Sequence, residues 1–177
     1  PNPEALDWVE RQPPRSLAIA YSTVFEIQYG AELARRQSPE KANRLEDWLE
    51  GFVLSGQFRL LRPCALSVRI RAAMHATPAL RGFLETRPGA HKPPNGEKLT
   101  IAAQAIAAGA VVVTMNDRDF ARIHERFPLP GVLNPCSGEW TVAPSPSARE
   151  TRRPKRAPAC PLPRSRAAAA QAGETMG

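Results

Sequence analysis

The sequence predicts an α/β fold, a parallel sheet with helices on both faces. Short, largely apolar runs (Leu17–Ala20, Phe58–Leu61, Ala110–Thr114 and Val132–Leu133) alternate with longer segments of helical periodicity. Strands that are apolar on both sides belong to parallel sheets packed between helices. The 177 residues suit one domain, and 42% hydrophobic with 23% charged residues suits a folded chain.

The elements follow in order. Asn2-Pro3-Glu4 opens a helix, with an Asn cap, Pro in the first turn and an early acid facing the dipole. It runs to about Gln12, where Pro13-Pro14 stop it. Leu17–Ala20 reads as a buried strand leading into a helix from about Thr23 to Arg36. Ser38-Pro39-Glu40 starts the next helix, in which Leu45, Trp48, Leu49, Phe52 and Val53 recur every three or four residues and predict one buried face. Gly56 ends it. Phe58–Leu61 reads as a strand and Ala65–Ala76 as a helix. Arg87–Gly96 is a loop rich in Pro and Gly. Glu97–Ala108 is a strongly apolar helix closed by Gly109, and Ala110–Thr114 is a buried strand. A short helix around Asp119–Glu125 and a small strand at Val132-Leu133 complete a domain over residues 1–136.

Residues 137–177 have a different character. Pro144-Ser145-Pro146-Ser147, Arg152-Arg153-Pro154-Lys155-Arg156 and the alanine run Ala167–Ala170 lack core periodicity and predict a disordered basic tail. Seven Arg and Lys against three acids place +4 of the net +7 there. The tail offers at most a nonspecific nucleic-acid contact through Arg152–Arg156, since only Trp140 could stack a base.

Several classes are excluded. The uncharged run Leu99–Met115 is short of the roughly 20 apolar residues that span a bilayer. Cys64, Cys136 and Cys160 are odd in number and share no metal-binding spacing, which argues for a reducing, cytoplasmic setting and against a thiolate zinc site.

Two charge placements suggest chemistry. Glu26 is the only charge from Leu17 to Ala31, in a helix expected to be largely buried, where a carboxylate needs a compensating cation or donors. Asn116-Asp117-Arg118-Asp119 follows the Ala110–Thr114 strand, and loops at the carboxyl ends of parallel strands form the site crevice. Acids delivered there are candidate ligands for a hard cation such as Mg²⁺, although Asp117 could instead cap the next helix. With no Gly-rich phosphate loop, such acids favour metal-assisted phosphodiester hydrolysis over nucleotide binding.

Three blocks carry a resemblance: Ser22-Thr23-Val24-Phe25-Glu26-Ile27-Gln28-Tyr29-Gly30, Leu99-Thr100-Ile101-Ala102-Ala103-Gln104-Ala105, and Val113-Thr114-Met115-Asn116-Asp117-Arg118-Asp119-Phe120, closing with Leu133-Asn134-Pro135. Together they resemble the PIN domain, most of all the FitB/VapC-type toxins of bacterial toxin–antitoxin pairs. The resemblance implies a three-layer α/β/α sandwich and acids clustered around Mg²⁺ or Mn²⁺. It also implies endonucleolytic cleavage of RNA, a cognate antitoxin and frequent homodimers. It assigns the helix glutamate to Glu26, the late aspartate to Asp119 and the polar position before it to Asn116, with Glu26 and Asp119 converging on one pocket.

The same resemblance implies a degenerate site. The family opens with a strand carrying Leu-Asp-Thr-Asn, whose Asp is a principal ligand, and this sequence begins after that point, so the first strand is expected to be missing. Lys98 stands three residues before Ile101, where the family places another Asp, and an ammonium there repels a divalent cation. Glu97 is a poor substitute, because one residue along a helix turns the side chain by about 100°. Met115 replaces the usual Arg. The expectations are therefore a metal-dependent ribonuclease impaired in this chain, or a non-catalytic remnant that at most holds an antitoxin.

Overall fold

The structure is a computed structural model describing residues 2–13, 15–54, 56, 58–85 and 96–144. Most of the expected Arg87–Gly96 loop and the basic stretch Arg152–Arg156 lie outside the described residues.

The first helix, α1 (Pro3–Glu10), begins as its cap residue dictates: Asn2 Oδ1 accepts the Glu4 amide at 2.9 Å and the Ala5 amide at 3.4 Å. It ends two residues earlier than expected and fully buries no residue. Strand β1 (Ala18–Ala20) passes directly into α2 (Tyr21–Arg35). That helix is less buried than its single charge suggested. Only Ser22 and Ala31 are buried, Tyr21 and Phe25 are about half exposed, and the Phe25 and Tyr29 rings stack at 5.8 Å.

Helix α3 (Pro39–Leu54) packs along α2 as a helical hairpin. The expected buried face of α3 needs correction. Its inward side runs through Ala42 and Leu49, with Leu45 and Glu46 half-buried, whereas Trp48 and Val53 are exposed. The hairpin is cross-braced by charge: Arg35 pairs with Glu32 at 3.3 Å and with Glu46, and the Gln28 amide donates to Glu32 at 2.9 Å and Glu46 at 3.0 Å. The Arg35 guanidinium holds the Glu46 carboxyl below the usual carboxylate range. The Gln28 amide, then Arg35, does the same for Glu32.

Strand β2 (Arg59–Leu61) pairs in parallel with β1, Ala18 opposite Arg59 and Ala20 opposite Leu61. Then come α4 (Ala65–Ala76), an unanticipated 3-10 helix (Pro78–Phe83) and α5 (Glu97–Ala108). Gly109 closes α5 in the left-handed conformation expected of it, at φ 62°. Strand β3 (Val112–Val113) leads through a tight turn to α6 (Asp117–His124), which starts two residues before the expected position. Strand β4 (Val132–Leu133) lies parallel to β3.

The expectation of disorder from residue 137 also needs correction. Trp140–Val142 forms strand β5, antiparallel to β4. The turn before it is built locally: Asn134 Oδ1 accepts the Cys136 amide at 3.0 Å, and Gly138 turns at φ +70°. Trp, Thr and Val favour extended chain, and Val142 packs against the core. Gly131 permits the close approach, because a Cβ there would stand 3.2 Å from the Trp140 ring.

The protein is thus mixed helix and strand, compatible with an α/β class, with β1-β2 in one sheet and β3-β4-β5 in another. Helix α5 packs against both β1 and β3 and also touches α2, α4 and α6. Its buried alanines, Ala102, Ala103 and Ala105, let these neighbours come close, and Met74, Leu80, Leu99, Ile123 and Val132 form the fully buried centre. Among the described residues no helix is long and apolar enough to cross a membrane.

Candidate functional site

The candidate site lies where the first turns of α5 and α6 meet. Gly96 sets the start of α5. Its backbone sits at φ +71°, a left-handed conformation costly for any other residue, and an added Cβ would stand 3.0 Å from the Leu84 side chain. The helix therefore begins at a fixed place, with Glu97 and Lys98 half-buried in its first turn.

Helix α6 is placed from its other side. Phe120 and Ile123 are buried in the core, which fixes the rotation of the helix and leaves Asp119 half-buried at its third position. Upstream, Thr114 Oγ1 accepts the Asn116 amide at 3.0 Å, and Asp117 Oδ1 accepts the Arg118 amide at 3.0 Å. Asp117 is the first residue of α6 and accepts only the amide of its immediate neighbour, so it does not cap the helix as its position had suggested. Asn116 occupies the cap position but its side chain makes no capping bond, and it is exposed. The Arg122 guanidinium lies over the Phe83 ring at 5.1 Å.

At the junction the Lys98 ammonium donates to Asp119 Oδ2 at 2.5 Å. The side chains retain 38% and 26% of their exposure, so the pair is partly shielded from water. Hydrogen bonds between an ammonium and a carboxylate are stronger than neutral ones. Of the three expected site residues, Asp119 lies on α6, Asn116 at the cap just before it, and Glu26, half-buried, on α2. Both helices pack against α5, which brings Lys98 to Asp119.

Whether these groups suit a divalent cation follows from donor chemistry. Magnesium wants near-octahedral oxygen donors, normally one or two carboxylates together with water. Among the described residues no group of three or more His, Cys, Asp or Glu could hold a metal ion. Asp119 already carries a cation, the Lys98 ammonium. A carboxylate already paired with a lysine is a poor ligand for the metal that the sequence led us to expect.

Sequence reasoning identified Lys98 as an intruder but not as the partner of Asp119, because 21 residues separate them and only the packing of α5 on α6 joins them. It also missed two buried polar side chains, Ser22 and Gln104, whose hydroxyl and amide atoms have no hydrogen-bond partner among the described residues. Gln104 lies six residues after Lys98, roughly 120° around the helix, and so faces away from the pair. A shallow, open surface depression lies against Glu32, Leu33, Arg35 and Arg36 at the C-terminal end of α2. No family model, curated protein or solved structure matches this chain.

Proposed function

We propose that the chain is a PIN-type domain of the toxin–antitoxin ribonuclease lineage in a hydrolytically impaired form. The ordered blocks around Glu26, Leu99–Ala105 and Asp119 support the lineage. The observation that carries the impairment is the Lys98–Asp119 pair, which commits the remaining late carboxylate to an internal cation. In this reading the ancestral activity is endonucleolytic cleavage of RNA with Mg²⁺ or Mn²⁺, and the retained capacity is at most binding of a cognate antitoxin or of RNA, as a monomer or homodimer.

Incubating the full chain with RNA and Mg²⁺, with Glu26→Gln as control, tests the impairment. Both proteins should leave the RNA intact. Metal-dependent cleavage by the parent chain that Glu26→Gln removes would overturn it. The lineage has its own test in the gene's neighbourhood: a small adjacent gene whose product co-purifies with this chain is expected, and an isolated gene counts against it.

A further inference from the structure

We infer that the outer side of α4 is a docking surface for α1 of a second copy of this chain, each copy lending its first helix to the other in a closed dimer. The inference stands apart from the PIN reading and from any nuclease activity.

A surface helix normally turns charge toward water, and one that is apolar all round is a buried helix. Helix α4 faces the core through Ser67 and Met74. Its outward side nonetheless carries Leu66 and Val68, 55% and 56% exposed, among the exposed alanines Ala65, Ala72, Ala73 and Ala76. Only Arg69 and His75 are polar there. Side chains this small let a second helix axis come close.

Charge decides between the helices that could cover it. The segment from Gly51 to Leu84 holds five arginines and not one acid. Arg59, Arg62 and Arg69 are exposed, and none forms an ion pair among the described residues. A second α4 laid against this side would set arginine against arginine, whereas an acidic helix complements it. Helix α1 is such a helix. Glu4, Asp7 and Glu10 are all exposed, and the helix buries none of its residues. At about 100° per residue, Ala5, Leu6, Trp8 and Val9 share one side, with Glu4 and Glu10 along its borders. Leu6 is exposed, and among the described residues α1 has no extensive packing with any other helix or strand, α4 of its own chain included. With 8 residues against 12, α1 lies within the length of α4. Exchange about a two-fold axis makes the contact twice and leaves no open end.

Sedimentation velocity on the full chain tests this, with folding checked by circular dichroism. Four proteins are compared: parent, Arg62→Glu/Arg69→Glu, Glu4→Arg/Glu10→Arg, and the variant carrying all four changes. The parent should pass from monomer to dimer between about 1 and 100 μM. Each two-residue variant should weaken the dimer by about 10-fold or more, because like charges then face each other across the contact. The four-residue variant restores opposite charges and should return to within about 3-fold of the parent.

A parent that stays monomeric at about 100 μM overturns the inference and leaves the α4 face to an acidic segment of another protein. A dimer indifferent to both two-residue variants overturns it too, since another surface then holds the copies together. So does a folded four-residue variant that fails to recover, because the acids of α1 are then not the partners of the α4 arginines. If the changes on α1 unfold that helix, Val68→Asp on the outer side of α4 decides: it should dissociate the dimer, and a folded Val68→Asp that associates like the parent refutes the docking surface.

Discussion

Removing the Lys98 ammonium measures how much the α5–α6 junction depends on it. Lys98→Met keeps the aliphatic length and deletes the charge, leaving Asp119 with no counter-ion from Lys98. Fully exposed pairs contribute about 0.2–1 kcal/mol, and breaking a fully buried one costs about 3–5 kcal/mol. With side chains 38% and 26% exposed, this pair lies between those limits and nearer the lower. The positive ends of α5 and α6 still attend the abandoned carboxylate, which trims the loss further. The expected cost is about 1.5 kcal/mol, or a fall in melting temperature of about 3–5 °C for a domain of this size.

Urea unfolding of the parent, Lys98→Met, Asp119→Asn and the double variant gives the coupling directly, expected near 1 kcal/mol. Raising NaCl from about 0.1 to 0.5 M should reduce the coupling without abolishing it, because a contact at 2.5 Å is shorter than the Debye length at either salt. A coupling under about 0.3 kcal/mol, or one erased by salt, would refute the partly shielded bond described above.

Other perturbations have separate readouts. Gly96→Ala should lower stability by about 1–2 kcal/mol in the same urea assay, since the left-handed backbone and the Leu84 side chain both oppose a Cβ. The Glu32 and Glu46 carboxyls have depressed pKa values when folded, so the stability they add is present above the ordinary carboxylate value of roughly 4.3 and is lost as pH falls through their lower folded values. Urea midpoints measured between about pH 6 and 3 should therefore drop on the acid side, and Arg35→Gln should flatten that limb. The Ser67 amide at the start of α4 lowers the pKa of the exposed Cys64 thiol. Alkylation followed by mass spectrometry should find Cys64 reacting faster at mildly alkaline pH than a free cysteine in the unfolded chain.

Most elements were legible because the signals that define them are local. The Asn2 cap, the alanine-rich periodicity of Glu97–Ala108 and the Gly109 stop act within a few residues, and α1, α5 and their caps appear where these signals lie. Helix α3 was harder. Its periodicity is genuine, but which side faces inward depends on α2, and a ladder of Arg35, Glu32, Glu46 and Gln28 turns Trp48 and Val53 outward. Strand β5 was hidden by its surroundings, a three-residue run beside proline-rich sequence that becomes a strand only because β4 offers an edge.

The site was legible as a set of residue types and not as an arrangement. An acid after β3 and a lysine at the head of α5 could both be named in advance. Their bond could not, because it arises from the rotation of α6 fixed by Phe120 and Ile123. Glu26 was singled out as an isolated charge in a buried helix, but half of that premise failed when Tyr21 and Phe25 proved exposed.

The division of the strands between β1-β2 and β3-β4-β5 bears on how the protein behaves in company. Among the described residues β1 and β3 each have a partner on one flank only, which leaves main-chain amides and carbonyls without a neighbouring strand. Such margins can recruit any extended chain, including those of sister molecules emerging from a ribosome. Brevity is the safeguard: three residues in β1 and two in β3 give a newcomer too few rungs to climb. A sequence change that lengthened either strand would strengthen the sheet and, by the same act, give crowded molecules a ladder to share.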